Sequence, residues 1–162
     1  MKRRRLILHD FFRERGYKRG LEVGTSNGYS AIWIGMAFRK TGGKLVTLEI
    51  DKRRASLARE NFAHVKLEQV IELREGDALE IIPQLEGPFD FVFIDAWKPD
   101  YIRYFRLLYP KVRPGGAILA HNVLSHGKEM QDFLKAIKAH PNLETRIDHT
   151  SSPGLSMSIK GQ

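Results

Sequence analysis

The chain has no cysteine. That excludes disulfides and thiolate metal sites, and leaves oxygen and histidine nitrogen as the ligands open to any metal. Long apolar runs are missing too. Leu6-Ile7-Leu8 stops at His9-Asp10, too short for a membrane span or for the apolar centre of a secretory leader, so a cytoplasmic protein with no membrane partner is expected. There is no internal repeat and no low-complexity linker. Acid is the scarce charge: 27 Lys and Arg face 19 Asp and Glu, for a net charge of +8. The imbalance is local. Residues 1–20 hold eight Lys/Arg (Lys2, Arg3, Arg4, Arg5, Arg13, Arg15, Lys18, Arg19) against Asp10 and Glu14, so this arm carries most of the excess. Such an arm suits RNA, an anionic membrane or an acidic partner, and also a solvated helix face. What is present fits one soluble domain: 162 residues, 42% of them hydrophobic and 28% charged, enough for a single sizeable core. The expected organisation is a basic arm over 1–20 and one domain over 21–162.

Hydrophobic patterning predicts alternating strands and helices. Strands are expected over Leu21–Val23, Lys44–Ile50, Val70–Arg74, Phe89–Asp95, Ala117–His121, Leu143–His149 and Leu155–Lys160. Helices are expected over Tyr29–Arg39, Lys52–His64 with Asp51 as its cap, Asp77–Leu85, Asp100–Val112 and Gly127–His140. A further one, roughly Arg4–Arg15, fits in the arm. Alternation with near-continuous apolar strands implies an α/β, Rossmann-like, doubly wound and mostly parallel seven-stranded sheet. The last two strands have no helix between them and are expected as an antiparallel hairpin at one edge. In such sheets ligands bind beyond the carboxyl ends of the strands.

Polar residues stand at those ends. In "LEVGTSNGYS", Gly24 and Gly28 allow close approach of a ligand to backbone, but Ser26 and Tyr29 occupy the second and third glycine places of a G-x-G-x-x-G frame, which disfavours a pyrophosphate turn. A smaller carboxylate fits there, with Ser30 as donor. Glu49, 21 residues after Gly28, can accept from both hydroxyls of a ribose. In "GDALEIIPQL", Asp77 and Ala78 can meet an adenine edge, and Asp77 can equally be a helix cap. Together they point to an adenosine-bearing cofactor whose other end is not a pyrophosphate. "FIDAWKPDY" places Asp95 at the end of a buried strand with Lys98 three residues on.

The blocks "LEVGTSNGYSA", "VTLEID", "GDALEIIPQL", "FDFVFIDAWKPDY" and "GGAILAHNVL" resemble, in kind, order and spacing, the class I S-adenosylmethionine-dependent O-methyltransferases of the metal-dependent catechol and caffeoyl-CoA type. The resemblance runs from Leu21 to Lys160. It implies donor contacts from Glu22, Gly24, Thr25, Ser26, Gly28, Tyr29 and Ser30 around the methionine end. It implies Glu49 and Ile50 at the ribose, and Asp77, Ala78, Asp95, Ala96 and Trp97 towards the adenine and the reacting end. Lys98 would be the general base. Asp95 would ligate a divalent metal with the pair after the fifth strand, which here reads His121-Asn122 where the family has Asp-Asn.

The substitution of imidazole for carboxylate removes one negative charge, so Mn²⁺, Zn²⁺, Fe²⁺ or Co²⁺ is favoured over Mg²⁺ if the site holds metal. The other reading is a degraded site in which His121 is a base or only structural. Relatives have several helices before the first strand and this chain has room for about one. Its acceptor pocket is therefore open, or completed by a second copy in a homodimer, or suited to a large substrate. Phe11, Phe12, Tyr101 and Tyr104 are candidates for its wall or simply core. The expected function is methyl transfer to a hydroxyl of a catechol-like small molecule. The alternatives are an RNA methyltransferase using the arm, a nicotinamide-dependent oxidoreductase, and a catalytically degenerate donor-binding protein.

Overall fold

A computed structural model describes residue 11 and residues 14–162 of the chain. The fold is α/β and Rossmann-like, with a mostly parallel seven-stranded sheet and antiparallel C-terminal strands. It divides into two compact units, residues 1–78 and 79–162.

The first unit contains β1 (Arg19–Val23), α1 (Tyr29–Thr41), β2 (Lys44–Glu49), α2 (Lys52–His64) and β3 (Ile71–Glu75). Its strands run in the order β3-β2-β1, both pairs parallel. β1 starts at Arg19, two residues before the expected Leu21, because Lys44 and Leu45 pair with Arg19 and Gly20. α1 buries Ala31, Ile34, Ala37 and Phe38, and α2 buries Ala55, Ala58 and Phe62, one stripe per helix. Asp51 caps α2 as expected, its Oδ1 accepting from the Arg53 and Arg54 N–H groups at 2.9 and 3.0 Å. The Arg54 N–H does most to hold the Asp51 carboxyl below its ordinary 3.8, helped by the Arg53 N–H and both guanidinium charges. A pKa lowered by folding contributes stability above the unfolded value and loses it as pH falls through the folded one. D51A should therefore lower the thermal midpoint at neutral pH, and the gap to the parent should narrow below pH 3.8.

Gly28 explains why the first helix follows a glycine. It adopts φ 87° at the N-terminus of α1, and a Cβ there would lie 2.5 Å from the Phe62 ring. G28A should cost about 1–3 kcal/mol in overpacking and about 1–2 more in left-handed backbone strain. A melting midpoint lower by roughly 5–15 °C is the expected reading.

The second unit contains α3 (Ala78–Ile81, which begins at the unit boundary), β4 (Phe89–Ile94), α4 (Tyr101–Leu108), β5 (Val112–His121), α5 (Gln131–Ala139), β6 (Leu143–Asp148) and β7 (Leu155–Lys160). Strand order is β4-β5-β7-β6, with β4 and β5 parallel and the other pairs antiparallel. The expected hairpin is thus present. Three helices are shorter than their patterns suggested. Pro83 lies in a 3₁₀ turn, Ile82–Gln84, that takes over from α3. Pro110 does the same after α4 in Tyr109–Lys111, and a 3₁₀ turn Gly127–Met130 precedes α5. A proline at the start of such a turn lacks the N–H that would continue the α-helical ladder.

Pro114-Gly115-Gly116 was expected to turn into β5 and instead lies inside it. The β4–β5 register runs Phe89↔Val112 and resumes at Phe91↔Ala117, so the extra residues form a bulge. Gly116 is required there, since a Cβ would stand 2.8 Å from the Asp90 and Arg113 carbonyl oxygens. Phe91, Val92, Phe93 and Ile94 are buried, as a strand covered on both faces demands. Phe133 of α5 packs edge-on against Tyr101 and Phe105 of α4, with centroids 5.6 and 5.9 Å apart.

The basic arm falls largely outside the described residues, and with it Phe12 and most of the helix expected over 4–15. Phe11 stands edge-on to Tyr17 at 5.9 Å, with the Arg15 guanidinium 4.7 Å over its ring. Tyr101 and Tyr104 are core. Among the described residues, no helix is long and apolar enough to cross a membrane.

Candidate active site

In the first unit the loop after β1 is built against the end of β2. The Gly24 and Thr25 N–H groups donate to the Leu48 carbonyl at 3.0 and 3.1 Å. Gly24, Ser26 and Gly28 all adopt positive φ, 100°, 53° and 87°, so every second residue of the loop is left-handed. Ser26 takes that conformation without being glycine, and its N–H is aimed at Glu49 Oε2, 2.7 Å away. The Asp51 N–H donates to Glu49 Oε1 at 3.0 Å. Glu49 is only 6% exposed, and two backbone donors fix its carboxylate while leaving each oxygen a free lone pair. The Gly76 N–H donates to the Glu49 carbonyl at 2.9 Å, which ties the loop carrying Asp77 and Ala78 to the same strand end. Asp77 is half-buried and Ala78 buried, while Ile50 stands exposed beside Glu49.

Behind this lies a second carboxylate. Glu22 of β1 is fully buried and accepts from the Ser30 hydroxyl and, at 2.5 Å, from Thr47 Oγ1. Thr47 Oγ1 also lies 2.7 Å from Thr25 Oγ1. A carboxylate out of water is tolerable only when hydroxyls replace its hydration. The Ser30 hydroxyl, expected at a ligand carboxylate, is turned to Glu22. Thr47 was not anticipated as part of this network. Its signal in the sequence is a lone hydroxyl inside the apolar strand "KLVTLE", in register with Glu22.

In the second unit, pairing of Ile94 with Ala120 sets Asp95, just past β4, beside His121, the last residue of β5. Asp95 is the hub. Its Oδ2 lies 3.1 Å from His121 Nδ1, its Oδ1 accepts from Asn122 Nδ2 at 3.0 Å, and Lys98 Nζ stands 3.7 Å from Oδ1. Asn122 reaches it from a left-handed backbone, φ 64°, a conformation that asparagine tolerates better than most residues and that is typical of functional sites. The His121 side chain is 8% exposed, that of Lys98 18% and that of Asp95 23%. Lys98 Nζ also donates to the Ala96 carbonyl at 2.8 Å, which folds the lysine back over the loop. Trp97 beside it is 64% exposed, and Leu124 after β5 is 40% exposed.

Tyr101, the last residue of "FIDAWKPDY", also belongs to this region. Its hydroxyl donates to the His121 carbonyl at 3.1 Å. Burial, and next the charge of Asp95, push its pKa far up, so it stays a donor at every working pH. The structure thus brings Asp95, Lys98, His121 and Asn122 together in one unit, and Glu22, Thr25, Ser26, Ser30 and Glu49 together in the other.

The residues present fit a divalent cation in part. One carboxylate and one imidazole offer two ligand atoms 3.1 Å apart, while Asn122 turns its amide nitrogen, which cannot ligate a metal, towards Asp95. Among the described residues, no group of three or more His, Cys, Asp or Glu suited to a metal occurs, and a ligating Asn122 would have to turn its amide oxygen where its nitrogen now stands.

Comparison with known proteins adds to this geometry. A family profile described as O-methyltransferase matches residues 8–147. A catechol O-methyltransferase of Niastella koreensis is 43% identical over 116 residues, 69% of this chain and 52% of that protein. One of Mycobacterium tuberculosis is 36% identical over 143 residues, 85% of this chain and 62% of that protein. The chain therefore spans between half and two thirds of these curated relatives. Among solved structures, an O-methyltransferase from Bacillus cereus in complex with SAH superposes with a TM-score of 0.91 at 29% identity, covering 99% of this chain and 81% of that one. The O-methyltransferase TomG of Streptomyces achromogenes, in complex with SAM, gives 0.91 at 28% identity, covering 100% and 81%.

Proposed function

Because the chain belongs to the O-methyltransferase family, we propose that it transfers a methyl group from S-adenosylmethionine to one hydroxyl of a catechol-like vicinal diol, with a divalent cation assisting. The observation that carries the reading is the Asp95 hub, which gathers an imidazole, an amide and the Lys98 nitrogen at the ends of two neighbouring strands.

The donor supplies an electrophilic methyl on a sulfonium sulfur. Glu49 receives its ribose hydroxyls on a carboxylate already oriented by two N–H groups, so little ordering remains for binding to pay. Gly24 and Gly28 let the methionine end lie against backbone. Ile50 offers an exposed apolar face of the kind an adenine covers. Glu22 holds the loop rigid through Ser30 and Thr47.

Asp95, His121 and Asn122 would hold the cation, which when bound supplies Lewis acidity to the acceptor's oxygens. A phenol has a pKa of about 10 and is mostly protonated at neutral pH, so the nucleophile must be made on the protein. Lys98 Nζ, as the neutral amine, takes the hydroxyl proton as the oxygen attacks. Asp95 then balances the charge that develops on the ammonium. Orientation of the diol against the methyl supplies the rest.

Calorimetry with S-adenosylmethionine tests the donor half. The parent protein should bind one equivalent, and E49Q should bind about tenfold or more weakly, because an amide cannot accept from both ribose hydroxyls at both atoms. Heat from NAD and none from S-adenosylmethionine would refute the proposal.

A further inference from the structure

Thr47 is a fully buried hydroxyl in the middle of an apolar strand, in register with Glu22. We propose that Thr47 is a positioning residue for the donor: its hydroxyl orders the loop after β1, and affinity for S-adenosylmethionine depends on that order. The proposal rests on the donor lying against this loop and Glu49, as described above.

Three successive residues of β2 hold the loop, each by different chemistry. The Leu48 carbonyl accepts from the Gly24 and Thr25 N–H groups at 3.0 and 3.1 Å. The Glu49 carboxylate accepts from the Ser26 N–H at 2.7 Å. Thr47 holds a side chain: its Oγ1 lies 2.7 Å from Thr25 Oγ1. Thr25 is buried, while the next two residues of the loop, Ser26 and Asn27, are exposed. Its hydroxyl is thus the part of the loop that is turned inwards.

Proton count fixes the direction of these bonds. A hydroxyl has one proton, and that of Thr47 goes to Glu22 Oε2 at 2.5 Å. Towards Thr25, then, Thr47 can only accept. The chain runs from Thr25 to Thr47 to Glu22, and Ser30 donates to the other carboxylate oxygen. Valine has nearly the shape of threonine, yet it would take one partner each from the Thr25 hydroxyl and Glu22 Oε2, both out of water.

That loss falls on the donor. Gly24, Ser26 and Gly28 are left-handed, and such a backbone persists only where its surroundings over-determine it. A loop released from Thr47 samples other shapes, and binding must order it again at a cost in affinity. The strand itself is spared, because β2 pairs with β1 and β3 through its backbone and valine suits a strand.

Calorimetry of the full chain with S-adenosylmethionine, beside melting curves, tests this. T47V should bind about tenfold more weakly, the worth of roughly one buried hydrogen bond. T47S keeps the hydroxyl and drops a packed methyl, so it should retain the parent's affinity even as its melting midpoint falls. Affinity that follows the midpoint in both variants would make Thr47 structural only and overturn the proposal. T25V breaks the chain from the loop side, without touching the strand, and should weaken binding to a similar degree. The double variant should bind no more weakly than either single one; additive losses would also overturn it. Parent-like binding by T47V beside a weakened E49Q would sink the role of Thr47 and leave the donor site standing. No binding by the parent would remove both.

Discussion

K98M should lower kcat by about 10²–10⁴-fold, the usual contribution of a positioned base, and leave donor affinity unchanged. Lys98 is held at the site by the Ala96 carbonyl at 2.8 Å and by Asp95 at 3.7 Å, so its nitrogen is directed and not a wandering surface charge. Methionine fills nearly the same volume and the side chain is 18% exposed, so the fold should survive. The residual rate of K98M should climb as pH approaches about 10, where a phenolic acceptor ionises without help, while the parent gains far less over that interval. A stopped assay with labelled donor across pH reads both effects. Equal turnover in the variant would make Lys98 a loop clasp only.

D95N has the second large effect. The substitution keeps the shape of the side chain but removes the anion that His121, Asn122 and Lys98 share. Lost electrostatic stabilisation of this kind costs about 10²–10³-fold in kcat. Cation affinity should fall with it, while the melting midpoint should change little, because the neighbouring donors can still meet the amide oxygen. A large drop in the midpoint with retained turnover would assign Asp95 to structure instead of chemistry.

Much of this was legible before any coordinates. Strand ends carry the polar residues of a doubly wound sheet, so the positions of Glu49, Asp77, Asp95 and His121 at or just beyond strand ends are legible where apolar runs stop. Asp51 was legible as a cap because its chemistry is local. What escaped depends on partners distant in sequence. Thr47 is an ordinary strand residue until β1 lays Glu22 beside it. The Pro114-Gly115-Gly116 stretch looks like a turn, and only the β4 register shows that it bulges within a strand. Helix ends moved because Pro83 and Pro110 convert the last turns to 3₁₀ geometry, which periodicity cannot anticipate. His121 was placed correctly by pattern, yet its contact with Asp95 comes from strand pairing, and its consequence for the cation comes from its chemistry.

The same sheet logic separates packing from chemistry among the glycines. Gly28 is required by the Phe62 ring and Gly116 by two carbonyl oxygens. Both would be glycine in a protein with no activity at all. Glu22, Glu49 and Asp95 are carboxylates at or near strand ends, where an apolar residue would be cheaper to bury, and each is held there by polar partners.

The most direct measurement is product analysis by mass spectrometry after incubation with S-adenosylmethionine, Mn²⁺ and matched acceptors: catechol, phenol and a hydroxylated RNA. The account predicts one methyl on catechol and far less on phenol, because a single hydroxyl leaves nothing for a cation to grip alongside it. Equal methylation of phenol and catechol, or methyl transfer to the RNA alone, would contradict it.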